Sequence, residues 1–107
     1  MNLQPYTVQG YRGAITVTPT SVILTHQRRY KEIRIYEITG VLFMKAGLLN
    51  KGYIRFSFRG GAEFKPGLLN QLTDENALLF KRKQEPGILR AKELIEYYQR
   101  GIYSLPR

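Results

Sequence analysis

Cysteine is absent from this chain, and so is tryptophan. Without cysteine there is no disulfide framework, no thiolate nucleophile and no cysteine zinc site. Histidine occurs once, at His26, so a histidine pair for a metal is excluded as well. Acidic residues are scarce: 8 Asp+Glu stand against 17 Lys+Arg, a net charge of +9. No apolar run approaches the roughly 20 residues that cross a bilayer as a helix. Residues 1–10 show neither a basic start nor an apolar stretch, so they do not read as a secretory signal. These absences together lead us to expect a cytoplasmic protein.

What is present is apolar material for one modest core. The chain has 107 residues, 43% of them hydrophobic, with 8 Tyr and 5 Phe. That suits a single ordered domain and argues against disorder. We expect an extended lead-in over 1–12 and one domain over 13–107, with strands between about 13 and 83 and a helix over about 86–100.

The strands are read from alternation. Ile15 and Val17 alternate with threonines over 14–18. Thr18-Pro19-Thr20-Ser21 is a turn in which hydroxyls can bond the local backbone. Ser21 to His26 returns, which predicts a hairpin. Tyr30 to Tyr36 and Ile38 to Lys45 follow, and Gly40 inside the latter predicts a bulge or a close backbone approach. Tyr53 to Arg59 sets Ile54, Phe56 and Phe58 against Tyr53, Arg55 and Ser57. Gly60-Gly61 supplies a positive-φ turn, and Ala62 to Lys65 begins a return strand. Pro66 to Asn76 reads as a loop and Ala77 to Lys83 as a last strand.

Pro86 to Arg100 has helical spacing. Ile88, Ala91, Ile95, Tyr98 and Ile102 fall on one face, with Leu94 beside them. Pro86 fits the first turn and Gly101 the position just past the end. The expected class is mainly β with one α element. About seven strands form a curved antiparallel sheet or partly open barrel, capped by one C-terminal amphipathic helix.

Three segments carry a family resemblance. Gly47-Leu48-Leu49-Asn50-Lys51-Gly52-Tyr53-Ile54-Arg55-Phe56 resembles the central turn and strand of a family of uncharacterised bacterial and phage pleckstrin-homology-like (PH-like) domains. Asp74-Glu75-Asn76-Ala77-Leu78-Leu79-Phe80 resembles that family's later acidic turn entering an apolar strand. Ile35 to Val41 is similar to its strand entry. Order and spacing agree over roughly 13 to 99. The resemblance implies a bent antiparallel sheet closed by a C-terminal helix, and it implies no ligand. Members often stand beside a short helical (SHOCT-type) module, and we expect none within these 107 residues. Eukaryotic PH domains that bind phosphoinositides carry basic residues around the first hairpin loop. In this chain that loop, Thr18 to Ser21, has none, which argues against specific phosphoinositide recognition.

Catalytic signals are missing. His26 at a strand end reads as a surface or capping residue. Glu93 and Glu96 read as a solvated helix face. There is no phosphate-loop or nucleophile-elbow motif. We therefore expect no enzyme, no cofactor, no metal and no small-molecule substrate.

Two basic groups are candidates for anion contact: Arg28, Arg29 and Lys31 around Tyr30, and Lys81, Arg82 and Lys83 at the end of the last strand. As strand residues, Lys81 and Lys83 would share one face. Both groups also read as plain solubilising charge. Leu48 and Leu49 form an apolar loop, and Tyr30 joins them as a candidate interface residue. Packing under the helix or across a subunit interface is the favoured reading for the leucines, with partner or membrane contact beside it. The first expectation for function is protein contact or self-association into a homo-oligomer, helped by the loops at Leu48/Leu49 and Leu68/Leu69. Nucleic acid ranks second, on the net charge. Anionic lipid ranks third.

Overall fold

The computed structural model describes residues 4–61 and 74–103. Within them lie seven strands: β1 (Tyr6–Gly10), β2 (Gly13–Val17), β3 (Ser21–His26), β4 (Arg29–Arg34), β5 (Ile38–Met44), β6 (Gly52–Phe58) and β7 (Ala77–Phe80). Helix α1 (Glu85–Tyr103) follows them. The expected strand Ala62–Lys65 and the Leu68/Leu69 loop lie outside the described residues.

Backbone pairing divides the strands into two antiparallel sheets. One has the order β1-β2-β3-β4 and the other β5-β6-β7. The first is a meander of tight hairpins, with Ile15 opposite Leu24 and Val17 opposite Val22. At its Pro19 turn, Thr18 Oγ1 accepts the N–H groups of Thr20 (3.2 Å) and Ser21 (2.9 Å). This is the local hydroxyl capture that a Thr-Pro-Thr-Ser sequence favours.

One apolar core fills the space between the sheets and the helix. Ile15, Val17, Val22, Leu24, Ile54, Phe56, Leu78 and Phe80 meet Ile88, Ala91 and Ile95 of α1 there. The three helix residues are fully buried, and Leu94, Tyr98 and Ile102 pack partly buried against them. The predicted helical stripe is therefore the stripe observed.

Four boundaries differ from the sequence reading. The lead-in contains a strand: Tyr6–Gly10 pairs with β2 along its length, and the Tyr6 hydroxyl donates to Gly87 O at 3.2 Å. Tyr6 and Val8 alternate with Thr7 and Gln9, a period-2 signal that is easy to pass over because the run between Pro5 and Gly10 is so short. The fourth strand ends at Arg34, and Ile35–Glu37 forms a 3-10 turn that still buries Ile35. The last strand ends at Phe80, and Arg82–Gln84 curls into a second 3-10 turn. Gln84 causes the curl: its Oε1 accepts Lys81 N–H at 2.8 Å and its backbone N–H donates to Lys81 O at 2.9 Å. Finally, α1 runs through Gly101 to Tyr103 rather than stopping at Arg100. Continuing the helix brings Ile102 onto the core.

Other local expectations hold. The pairing of β5 with β6 slips between Ile38 and Gly40, the irregularity expected at that glycine. Gly60 has φ +82°. At Gly52 the reason for glycine is space, because a Cβ there would run into the Phe80 ring.

Strand β6 alternates as expected, but both of its faces are covered. Ile54 and Phe56 point into the main core. Tyr53 points the other way into a second, small cluster with Ala77, Leu79 and Tyr11. Arg55 lies on that side too, with its side chain only 3% exposed.

Candidate anion-binding corner

The free edge of β7 runs along the turn end of the first sheet. Tyr11 N–H, in the β1–β2 turn, donates to Leu79 O at 2.7 Å. His26, at the end of β3, bonds Ala77 O through Nε2 at 2.7 Å. A carbonyl only accepts, so Nε2 carries the proton in this bond. His26 thus pins one sheet to the other, a structural part beyond the surface or capping role read from sequence.

This crossing sets where the basic residues go. Arg28 lies in the β3–β4 turn and Arg29 opens β4 opposite His26, near the Ala77 end of β7, and both are exposed. Lys31 of the same group is engaged within the fold. Its Nζ lies 3.1 Å from Glu75 Oε1 and 5.2 Å from the centroid of the Phe58 ring. Tyr30 stands exposed on β4.

Lys81, Arg82 and Lys83 lie at the other end of β7, exposed. They are not strand residues: Lys81 precedes the 3-10 turn and the other two lie within it. The expected sharing of a strand face by Lys81 and Lys83 does not apply, because the backbone leaves the extended conformation after Lys81. The two basic groups therefore sit at opposite ends of β7 and do not merge into one site.

The Lys81 end gains two cations that sequence reasoning did not single out. Lys51 and Lys81 each stand one residue beyond the last registered pair, Gly52 with Phe80, which makes them neighbours at adjoining strand ends. Lys51 Nζ lies 4.2 Å from the centroid of the Tyr11 ring. The Arg12 guanidinium lies 5.0 Å from the same ring. Gln84 Nε2 donates to Gly10 O at 3.2 Å, fastening the 3-10 turn to the β1–β2 turn. Three elements distant in sequence thus meet here: Arg12 and Lys51 share the Tyr11 ring, and Lys81 adjoins Lys51 at the neighbouring strand end. Arg12 falls within the expected extended lead-in, and nothing local to Lys51 marks it as a neighbour of Lys81.

Among the described residues, Arg12, Lys51 and Lys81 form no ion pair with an acid. Like charges on neighbouring strand ends repel, and a bound anion relieves that repulsion. The nearest acid along the chain, Glu85, turns its Oε1 onto the Ala46 N–H at 2.8 Å. Cation–π contacts with Tyr11 hold Arg12 and Lys51 without neutralising them.

The β5–β6 loop rises beside this corner. Ala46 is buried at its base, and Gly47 N–H donates to Asn50 O at 3.0 Å across its neck. Leu48 and Leu49 at its apex are 87% and 98% exposed. They do not pack under the helix, one of the two placements favoured from sequence, because anchoring the loop through Ala46 directs its apex outward; the other placement, across a subunit interface, involves a second copy.

A second ionic site is internal. Arg55 Nε donates to Asp74 Oδ2 at 2.6 Å, and the Tyr53 hydroxyl donates to the same oxygen at 3.1 Å. Asp74 Oδ1 accepts Asn76 N–H at 2.9 Å. Burial, and then the Asp74 carboxylate, push the Tyr53 hydroxyl well above the ordinary tyrosine range. This cluster closes the outer face of the second sheet.

Among the described residues, no three of His, Asp and Glu stand together in a group able to hold a metal ion. No described helix is long and apolar enough to cross a membrane. Comparison with known proteins adds one relationship: no curated protein and no solved structure matches the chain. A family model does match, over residues 13–96, most of the chain, and its description is "Domain of unknown function (DUF4429)". The chain belongs to that family.

Proposed function

We propose that this protein is a non-enzymatic, PH-like binding domain whose partner is a phosphate-bearing polyanion. The observation that carries the reading is the meeting of Arg12 and Lys51 on the Tyr11 ring, with Lys81 beside Lys51 at the adjoining strand end. Such a corner offers several donors to phosphate oxygens, and the net charge of +9 draws anions to it. The PH-like part of the proposal is supported by two antiparallel sheets followed by a helix on a shared core.

The probe is tripolyphosphate, titrated by calorimetry or amide NMR shifts. Binding at low salt is expected, weakening as salt rises because each neutralised charge releases counterions. Lys51→Gln with Lys81→Gln should abolish it, while Arg90→Gln on the exposed helix face should leave it intact. Equal binding by the double variant and wild type would sink the proposal.

A second reading, self-association or docking of a protein partner, is supported by β5, the edge of the three-stranded sheet. Leu42 and Met44 are 38% exposed along it, and an open strand edge can accept another strand. Sedimentation velocity at high micromolar concentration tests self-association, and a monomer throughout would remove it. A pull-down tests a different partner.

A further inference from the structure

We infer that the Leu48–Leu49 loop is a membrane-inserting tip and that the phosphates met by the Arg12/Lys51/Lys81 corner are headgroups of an anionic bilayer. The inference rests on the anion-binding reading and names the source of the anion.

The loop is built to hold apolar side chains in water. Its base is tied by the Ala46 N–H to Glu85, and its neck by Gly47 N–H to Asn50 O. Two almost fully exposed leucines at a fastened apex contribute little to the folded state. Exposed apolar residues held together in this way mark a contact site.

Charge selects the occupant. Lys45 and Lys51 flank the tip, and both are exposed. No acidic residue lies between Glu37 and Glu63 in the sequence. Long lysine side chains can lay their stems on an apolar layer while their ammonium groups stay at the phosphate level. Tyr11, in contact with both Lys51 and Arg12, has the amphipathic ring that favours that level.

Size points the same way. A stable protein–protein contact buries about 1,200–2,000 Å² in total, far more than two leucines at a loop apex supply. A bilayer asks for less, since modest apolar insertion adds to the attraction of several cations for an anionic surface.

The test is co-sedimentation with vesicles of equal parts phosphatidylcholine and phosphatidylserine, beside vesicles of phosphatidylcholine alone. The tripolyphosphate titration runs in parallel. Wild type should bind the mixed vesicles at low salt and not the neutral ones. Leu48→Ser with Leu49→Ser should reduce partitioning about tenfold or more, as expected from losing buried leucine surface. It should leave tripolyphosphate binding and the melting temperature unchanged. Because the chain has no native tryptophan, Leu48→Trp gives a clean reporter whose emission should shift to the blue on mixed vesicles only. Binding of tripolyphosphate without binding of vesicles would overturn the inference and leave the anion reading standing. So would vesicle binding indifferent to the double serine change. Binding of neither probe would overturn both.

Discussion

Asp74→Asn removes a charge and little else, which makes it the sharpest probe of how this fold closes. Asp74 accepts from Arg55 Nε (2.6 Å), from the Tyr53 hydroxyl (3.1 Å) and from Asn76 N–H (2.9 Å). The Arg55 side chain is 3% exposed and that of Asp74 is 16% exposed. Removing one partner of a buried pair typically costs about 3–5 kcal/mol; here the guanidinium loses the Asp74 charge but keeps its Nη1 bond to Ser57 Oγ at 3.2 Å. The residual exposure of Asp74 argues for the lower end, about 3 kcal/mol. Small domains have about 5–15 kcal/mol in all. At about 4–8 °C per kcal/mol, the melting temperature should fall by roughly 12–24 °C. The comparison that isolates the charge is Arg55→Met with Asp74→Asn. Asparagine keeps an acceptor for Asn76 N–H, and methionine fills the space without a charge to strand. The double variant should therefore be more stable than Asp74→Asn alone by thermal or urea unfolding. If it is less stable, burial of the guanidinium is not what makes the single change expensive, and the reasoning fails.

Three further outcomes follow from the same geometry. Ile95→Ala should cost about 2–5 kcal/mol by urea unfolding, as a fully buried aliphatic truncation does, whereas Lys92→Ala, which loses a half-buried i,i+4 pair with Glu96, should cost about 0.3–0.5 kcal/mol; equal midpoints would mean α1 is not part of the core. Tyr53 is held neutral in the fold, with its hydroxyl pushed above the ordinary value of about 10. Its contribution is therefore complete below about pH 10 and is lost as pH rises above that, since the unfolded chain releases the proton first. The stability difference between wild type and Tyr53→Phe should narrow on moving from pH 8 to about pH 11; a constant difference in urea midpoints would contradict the assignment. Gln27 has φ +53° in the β3–β4 turn, a conformation unfavourable to a residue with a Cβ, so Gln27→Gly should raise stability by about 0.5–1 kcal/mol, and a lower melting temperature would show that its side chain is needed there.

Local sequence was enough to specify most elements. The β2–β3 hairpin, the alternation of β6 and the Ile88/Ala91/Ile95 stripe are written in periods of two and of three to four. Those periods reflect backbone geometry alone and need no distant partner. The Thr18 turn, the slip beside Gly40 and the positive φ of Gly60 are legible for the same reason. Tertiary structure decided what depends on partners far along the chain. Strand β1 alternates, with Tyr6 and Val8 toward the core and Thr7 and Gln9 outward, but the run is only five residues long and becomes a strand by pairing with β2 and packing against α1. The second face of β6 is buried because Asp74, 19 residues on from Arg55, takes up its charge. Helix α1 passes Gly101 because Ile102 finds the core on the next turn. The anion corner exists because the register of Gly52 with Phe80 makes neighbours of Lys51 and Lys81, while the Tyr11–Leu79 bond carries Arg12 to them. Charge counts alone placed these cations nowhere in particular, since the chain's positive residues are dispersed in sequence. Strand register and the crossing of the two sheets gather them, and neither can be read from local period or propensity.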